Sequence, residues 1–201
     1  MKNINQGYLL GVDTGNSKTH AMISDINGRV VSIADTGCGN YEVIGVDGLK
    51  LVINEVVDET LTKAGIKKSE ILAMGFGFAG YDWPSEANMM IEVIDSLAIH
   101  CPYDFVNDAV IGLIAGSTSG WGVSVDAGTG NNVRGRNSAG KLGRITGNSI
   151  RFGEVGGAGE LVWLASVAVT YAWTQRGPKT QLTQLFMDYA EVQTEDELIE
   201  T

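Results

Sequence analysis

Two stretches decide the fold, Gly11-Val-Asp-Thr-Gly-Asn-Ser-Lys18 and Ser124-Val-Asp-Ala-Gly-Thr-Gly-Asn131, and they are versions of one turn. Each follows an apolar run, which predicts a strand that ends in a carboxylate, Asp13 or Asp126, and then a glycine turn. Glycine has no Cβ, so its backbone can approach a phosphate closely, and successive N–H groups in such a turn bind anions. Two such turns, each followed by a second strand-like run, predict a duplicated phosphate clamp that holds a nucleotide between its halves.

The composition narrows the class of protein. The chain has 201 residues, and 44% of them are hydrophobic, which is enough for a substantial core. Its formal net charge of -10 argues against nucleic-acid binding, which needs clustered Lys and Arg. The charge does not exclude ATP, because backbone N–H groups, a metal ion and few basic side chains can bind phosphates. Cys38 and Cys101 lie far apart without a CxxC spacing, so we expect no metal or cluster site from them alone.

The sequence also indicates in which cellular compartment the protein is expected. No apolar run approaches the roughly 18 residues of a membrane span, and MKNINQGYLLGVD at the start lacks the apolar stretch of a signal peptide. We therefore expect a cytoplasmic protein that does not associate with membranes. The sequence leaves the oligomeric state open, with a homodimer as one option.

The first half of the chain predicts a sheet with helices packed on it. Asn27-Gly28 is a strong signal for a two-residue hairpin between the second and third of three opening antiparallel strands. Apolar residues then recur at steps of three and four up to Ala64, which predicts a helix that Gly65 can cap. The predicted strands are 8–13, 19–25, 29–34, 71–78 and 103–106, and the predicted helices are 49–64, 85–97 and 109–115.

The pattern begins again at Gly120. Strands are predicted at 121–125, 132–137 and 140–145, followed by helices at 156–173 and 180–192. We therefore predict a first lobe over residues 1–117 and a second over 118–201, with the boundary in the Gly-rich stretch 116–122. The second copy lacks the strands and helices that complete the first. Either the sequence is a fragment or something else completes the sheet; we expect a fragment, since an open edge on a central strand would promote aggregation.

The residues of the two turns suit phosphate and metal binding. Asp13 and Asp126 are candidate ligands of Mg2+, which neutralises phosphate charge during phosphoryl transfer. The alternative is that each Asp only starts a turn, although this does not explain why both glycine turns carry it. Lys18 is a candidate phosphate ligand or a solvated side chain. The other candidate phosphate ligands are Gly15, Asn16, Ser17, Gly128, Thr129, Gly130 and Asn131.

A third element, Asn107-Asp108, ends one predicted strand and opens a helix. Open sheets bind ligands at the carboxyl ends of their parallel strands, and Asp108 is predicted to point out of that edge. The alternative role is an N-cap, for which Asp is a preferred residue.

Four motifs together resemble those of the N-acetylglucosamine kinase and BadF/BadG/BcrA/BcrD ATPase family, within the actin-like ATPase superfamily. They are Thr36-Gly-Cys-Gly-Asn-Tyr-Glu-Val-Ile-Gly45, Phe76-Gly-Phe-Ala-Gly80, Asn107-Asp-Ala109 and Ala127-Gly-Thr-Gly-Asn131, in the family's order and approximate spacing. The resemblance covers most of residues 8–175. It implies a ribonuclease-H-like α/β fold, in which a mixed sheet of three antiparallel strands plus parallel strands is flanked by helices. That unit is duplicated as two lobes, the second of them incomplete.

The resemblance implies an ATP-dependent kinase that transfers the γ-phosphoryl group to a hydroxyl of a small sugar, N-acetylglucosamine or a related hexose, with Mg2+. By this likeness Asp108 is the general base, and the sugar is bound by Asn40, Gly80, Asn107, Asp108 and Thr129. One alternative is an ATPase that activates a partner enzyme, as in BadF/BcrA-type proteins. Those carry cluster-binding cysteines near the second phosphate turn, where this chain has none. Another is a non-catalytic regulator that binds nucleotide or sugar.

The chain departs from the family in two places. Where the kinases usually carry Gly-Asp-Glu-Gly-Ser, it has Gly153-Glu-Val-Gly-Gly157, so Glu154 replaces the first acid and Val155 removes the second. Asp126 replaces the Ser or Ala that commonly precedes the second turn. Glu154 is thus a candidate sugar ligand in an altered loop, and the acceptor can be another sugar or a polyol.

Overall fold

The computed structural model describes residues 7–128, 130–145 and 150–200. The chain divides into two compact units. One is formed by the residues up to 125 together with 133–144, and the other by 126–132 together with the residues from 145 onward. The predicted boundary between lobes at 117/118 stays a prediction.

The first unit is built on a five-stranded sheet with the order β3-β2-β1-β4-β5. Strands β1 to β3 are antiparallel, and β4 and β5 run parallel to β1. The sheet therefore has the predicted mixture of three antiparallel strands and two parallel ones. Its strands are β1 (Tyr8–Thr14), β2 (Thr19–Asp25), β3 (Val30–Thr36), β4 (Ile71–Phe78) and β5 (Tyr103–Asn107).

Helices cover the two faces of this sheet unequally. Two of them, α1 (Tyr41–Ala64) and α2 (Ala87–Asp95), enclose the main core with alternate residues of the strands. The third, α3 (Asp108–Gly116), lies on the opposite face, where its Ile111 packs over Gly77 of β4. The fully buried side chains include Leu10, Ile23, Leu49, Ile53, Phe78, Met90 and Leu97.

The turn between β2 and β3 differs from the predicted two-residue hairpin. Asp25 and Arg29 pair through their backbones, so three residues form the loop, and Gly28 has a φ of 82°. The Asp25 carboxylate accepts the N–H groups of both Asn27 and Arg29 at 2.9 Å. This side chain stabilises the longer loop, and the strand register shifts between Ile23 and Ser24.

Helix α1 begins eight residues before the predicted start at Leu49, because Asn40 caps it. Gly45, with φ 73° and ψ 170°, interrupts the helix within its first turns and obscures the apolar period there. The predicted cap at the other end is confirmed, since Gly65 adopts the left-handed conformation and donates to Leu61 and Thr62 carbonyls. The predicted helix at 85–97 is a 3-10 turn, Pro84–Glu86, followed by the shorter α2.

A second sheet follows, with the order β6-β7-β8. It consists of β6 (Gly122–Ala127), β7 (Asn131–Arg136) and β8 (Leu142–Ile145), close to the predicted meander. Most residues of this sheet belong to the first unit. The second unit contains α4 (Ala158–Trp173), α5 (Leu182–Ala190) and α6 (Glu195–Glu200). Among the described residues, no helix combines the length and apolar character needed to cross a membrane.

Candidate functional site

The first glycine turn joins β1 to β2 and is closed by its own backbone. The N–H of Gly15 donates to the carbonyl of Lys18 at 2.9 Å, and the carbonyl of Gly15 accepts the N–H of Gly39 at the same distance. A Cβ at Gly15 would lie 3.0 Å from the Lys18 oxygen, which is tighter than an ordinary contact. Asn16, Ser17 and Lys18 complete the turn.

The connection from β3 to α1 is fixed by close packing against β1. A Cβ on Gly39 would lie 2.8 Å from the Thr14 Cβ and closer still to the Thr19 hydroxyl. Thr14 is fully buried, and its hydroxyl accepts the N–H of Ala79 at 3.0 Å. The loop that carries Asn40 is therefore held in place on the β1 turn.

Asn40 brings three of the predicted site residues together. Its Oδ1 accepts the N–H of Glu42 at 2.9 Å as the cap of α1, and its Nδ2 donates to Asn16 Oδ1 at 2.6 Å. Gly80 has a φ of 81°, and a Cβ there would lie 2.7 Å from Asn40 Oδ1. The phosphate-turn residue Asn16 and the predicted sugar residues Asn40 and Gly80 thus form one contiguous group.

Tyr41 supports the same loop. Its hydroxyl donates to the carbonyl of Gly80 at 3.3 Å. Burial raises the pKa of Tyr41 above its ordinary value, and the Glu86 carboxylate, a second acceptor for the same hydroxyl proton, raises it further through hydrogen bonding and charge. The hydroxyl therefore stays protonated and remains a donor.

Asn107 and Asp108 have separate roles at the start of α3. The N-cap is Asn107, whose Oδ1 accepts the N–H of Ala109 at 3.1 Å. The alternative that Asp108 is the cap is thus wrong: Asp108 is the first helical residue, although its Oδ1 also accepts the Ala109 N–H at 2.9 Å. The cap is the residue just outside the helix, and Asn107 occupies that position.

Gly77 lies between the two predicted acidic site residues of this unit. In the parallel sheet it pairs with Asp13 of β1 on one side and with Val106 of β5 on the other. A Cβ at Gly77 would lie 3.3 Å from the Cα of Asp108. Asp13 and Asp108 therefore flank a position without a side chain, at the carboxyl edge of the parallel strands. Gly77 lies inside the Phe76–Gly80 motif, although the motif alone predicts no role for it.

Arg134 and Asp82 were also missed. Arg134 on β7 is 7% exposed, and its Nε donates to Asn107 Oδ1 at 3.0 Å. Its guanidinium forms an ion pair with Asp82, and Asn107 Nδ2 donates to the Tyr81 carbonyl at 3.2 Å. These bonds tie β7 and the loop after β4 to the residue before Asp108. No local pattern indicates them, since 52 residues separate Arg134 from Asp82.

The second glycine turn belongs to the other unit and contacts the start of α4. The carbonyl of Gly128 accepts the N–H of Ala158 at 2.9 Å. Gly157 caps the helix, and a Cβ there would lie 2.5 Å from the Gly130 Cα. The positive end of a 16-residue helix thus lies directly against the turn that follows Asp126, an arrangement that favours anions.

The remaining predicted residues of this unit lie nearby in the chain. Asn131 begins β7, its Nδ2 is buried, and this atom has no hydrogen-bond partner among the described residues. Glu154 lies between the 3-10 turn Ile150–Phe152 and α4. Thr129 lies outside the described residues. The joint clamp of both turns on one nucleotide stays a prediction.

The sheet of three antiparallel and two parallel strands, with a glycine turn and carboxylates at its carboxyl edge, defines the actin-like, ribonuclease-H-like class of ATPase folds. The model of the BadF/BadG/BcrA/BcrD ATPase family matches residues 10–196, and the chain belongs to this family. The predicted family and fold class are both confirmed.

Two curated relatives are similar over nearly the whole chain. An N-acetylmuramic acid/N-acetylglucosamine kinase of Clostridium acetobutylicum is 31% identical over 192 residues, which is 96% of this chain and 63% of the relative. An N-acetyl-D-glucosamine kinase of Dictyostelium discoideum is 30% identical over 199 residues, 94% of this chain and 62% of the relative. The chain therefore spans less than two thirds of either relative.

Two crystal structures share the fold. One, from Chromobacterium violaceum, covers 98% of this chain and 72% of its own with a TM-score of 0.71 at 19% identity. The other, from Porphyromonas gingivalis, covers 94% and 64% with a TM-score of 0.63 at 22% identity.

Proposed function

We propose that the intact protein is an ATP-dependent kinase that phosphorylates a hydroxyl of an amino sugar, N-acetylglucosamine or a close relative. The observation that carries the proposal is the position of Asp108 across Gly77 from Asp13, at the edge that also bears the Gly15 turn. The names of the two curated relatives support the substrate class.

In this proposal Asp108 is the general base. It accepts the proton of the sugar hydroxyl while that oxygen attacks the γ-phosphorus and the bond to the β–γ bridging oxygen breaks. Because Asn107 caps α3, the Asp108 carboxylate is not required as the cap. Asn40, Gly80, Asn107, Thr129 and Glu154 are the proposed sugar ligands.

The two glycine turns are the proposed phosphate ligands. Gly15, Asn16, Ser17 and Lys18 form one side, and Gly128, Thr129, Gly130 and Asn131 form the other. The buried Nδ2 of Asn131 is a hydrogen-bond donor, and a phosphate oxygen would accept its hydrogen bond. The N-terminus of α4 adds positive potential beside Gly128 and Gly130.

The residues fit a Mg2+ ion held mainly by the nucleotide. Among the described residues no group of three or more His, Cys, Asp or Glu side chains could hold a metal. Mg2+ usually keeps several waters and binds one or two carboxylates together with substrate phosphates, and Asp13 and Asp126 are the proposed carboxylates. The bound ion would neutralise charge on the phosphates.

We further propose a cytoplasmic location, which the unpaired thiols of Cys38 and Cys101 favour, because reduced cysteines are usual in that compartment. Assembly as a homodimer stays a prediction, which analytical ultracentrifugation would test.

ATP turnover with a panel of neutral and acidic amino sugars, hexoses and polyols tests the function in the intact protein. We expect ADP release that depends on an amino sugar. ATP hydrolysis that no member of the panel stimulates would instead favour the alternative of an ATPase that activates a partner enzyme. ATP binding without turnover would favour the regulator.

A further inference from the structure

A cavity of about 470 Å3 opens in the first unit beside Asn107. Three aromatic residues, Tyr81, Trp83 and Phe105, line it together with part of α3 and one face of the β7–β8 hairpin. That face contributes three arginines, Arg134, Arg136 and Arg144. The cavity thus combines aromatic surface with a concentration of positive charge.

The hairpin register explains why the arginines share a face. The N–H of Asn137 donates to the carbonyl of Lys141 at 3.0 Å, and Asn137 Oδ1 accepts the N–H groups of Ala139 and Lys141. Counting back along the two antiparallel strands from this pair places Arg134 opposite Arg144. Side chains alternate along a strand, so Arg136 lies on the same face as both.

The positive charge of this face is only partly balanced. Asp82 is the one acidic residue among those that line the cavity, and its carboxylate pairs with Arg134. Arg144 donates to the Asp82 backbone carbonyl and stacks 4.0 Å from the centre of the Trp83 ring. Arg136 donates to the Gly120 carbonyl at 3.5 Å. Within residues 7–128, 130–145 and 150–200, Arg136 and Arg144 form no ion pair.

Asp82 neutralises one of the three arginines, so the other two have no acidic partner among the residues that line the cavity. Like charges directly opposite each other on antiparallel strands destabilise the pair, and Arg134 and Arg144 occupy such positions. The chain carries a formal charge of -10, so acidic side chains are plentiful elsewhere, yet none besides Asp82 lines the cavity. Guanidinium groups bind carboxylate and phosphate oxygens through paired hydrogen bonds.

We propose that this cavity binds an oxyanion, a carboxylate or phosphate carried by a small sugar, between Arg136 and Arg144. Trp83 and Phe105 supply the apolar surface on which the rest of the ligand packs. Asn107 lines the cavity and directly precedes Asp108, so an acidic substituent bound here belongs to a sugar close to the proposed base. The sugar part rests on the proposed function, whereas the anion site rests on the hairpin alone.

Binding to the intact protein without ATP tests the proposal. N-acetylmuramic acid and N-acetylglucosamine form a matched pair, because they differ only in a lactyl ether that carries a carboxylate. Calorimetric titration gives both affinities for the wild type, Arg136→Gln, Arg144→Gln and Lys141→Gln. The last variant removes one positive charge from the same hairpin outside the cavity, and thermal melts verify that each variant is folded.

We expect the wild type to bind the acidic sugar more tightly than the neutral one, with a preference that falls as salt rises. Loss of one charge-assisted hydrogen-bonding partner at Arg136 or Arg144 should reduce this preference about tenfold, and Lys141→Gln should leave it unchanged. Inorganic phosphate, added as a competitor, distinguishes a sugar carboxylate from a sugar phosphate. If phosphate displaces the bound sugar from the wild type and not from Arg136→Gln, the site is assigned to phosphorylated sugars.

Equal affinities for the two sugars, with no competition by phosphate, would overturn the proposal, as would a preference that survives in folded Arg136→Gln and Arg144→Gln. Failure of the proposed function is a separate result. A kinase active on neutral sugars without the preference would refute only the anion site, and anion binding without phosphoryl transfer would refute only the kinase.

Discussion

Arg134 donates a hydrogen bond from Nε to Oδ1 of Asn107 across 3.0 Å, and both side chains are buried. Asn107 uses the same oxygen to cap α3. The guanidinium thus connects the β7 strand to the first turn of the helix that carries Asp108.

Arg134→Met should lower the free energy of unfolding by about 3–5 kcal/mol, because it leaves the largely buried Asp82 carboxylate without its partner. Urea denaturation measures this. In the double variant Arg134→Met/Asp82→Asn the uncompensated charge is gone, so part of the loss should be recovered. Equal stability of Arg134→Met and the wild type would show that the ion pair contributes nothing to the fold.

Gly77→Ala should reduce turnover by displacing α3. The new Cβ would lie 2.7 Å from Ile111 Cγ1 and 3.3 Å from the Asp108 Cα, and overpacking of this kind typically costs about 1–3 kcal/mol. Gly75→Ala is the matched control, since a Cβ two residues earlier on the same strand meets nothing within 4 Å. The kinase assay and thermal melts compare them. Adding Ile111→Ala to Gly77→Ala should restore part of the activity, and identical behaviour of both glycine variants would contradict the packing argument.

The sequence predicted the parts of the site that are encoded locally. Asn40, Gly80, Asn107 and Asp108 lie in short ordered motifs. The structure places Asn40 against Gly80, and Asn107 donates to the carbonyl of Tyr81, the residue that follows Gly80. The strands of the fold could also be predicted from the sequence, because apolar runs between glycine turns favour strands before their neighbours in the sheet are known.

The rest depends on contacts between distant residues. The role of Gly77 follows from Ile111 on a helix 34 positions later, a contact that no spacing in the sequence indicates. Arg134 reads as an ordinary strand residue until Asp82 lies beside it. The predicted two-residue hairpin was wrong because Asp25, which lies outside the Asn27-Gly28 pair, accepts hydrogen bonds from the loop backbone and stabilises a longer loop.

Gly15→Val and Gly128→Val should each abolish the rise in melting temperature that ATP and Mg2+ cause in the intact protein. Ligands that bind only the folded state stabilise it by mass action, and a side chain in either turn would exclude the phosphates. Gly11→Val is the control for the first turn, because a Cβ at that position on the same strand has open space. If ATP still stabilised both folded turn variants, the turns would not be the phosphate site.

Tyr41→Phe should raise the KM for the sugar more than it lowers kcat. The variant keeps the ring but removes the hydroxyl that donates to the Gly80 carbonyl, a loss of about 1 kcal/mol, or roughly a fivefold rise in KM. The raised pKa of Tyr41 keeps the wild-type hydroxyl protonated, so its contribution is complete below the ordinary tyrosine pKa and falls as pH rises beyond it. The wild-type to variant ratio of KM should therefore be constant between pH 6 and 9, roughly the range below that pKa. A ratio that changes across this range would contradict the assignment.

Asp108→Asn should remove most of the turnover, about 10²–10⁴-fold, while the melting temperature and the affinities for ATP and sugar stay near those of the wild type. The amide has the shape of the carboxylate but cannot accept the hydroxyl proton as a base. The counterpart is Asn107→Ala, which removes the cap of α3 together with the bonds to Arg134 and Tyr81 and should lower stability by more than the roughly 1 kcal/mol of a cap alone. Steady-state kinetics together with thermal melts separate the two roles, because the first variant changes the rate at constant stability and the second changes stability first. Near-normal turnover in Asp108→Asn would leave Asp13 and Asp126 as metal-site carboxylates in an enzyme without a protein base.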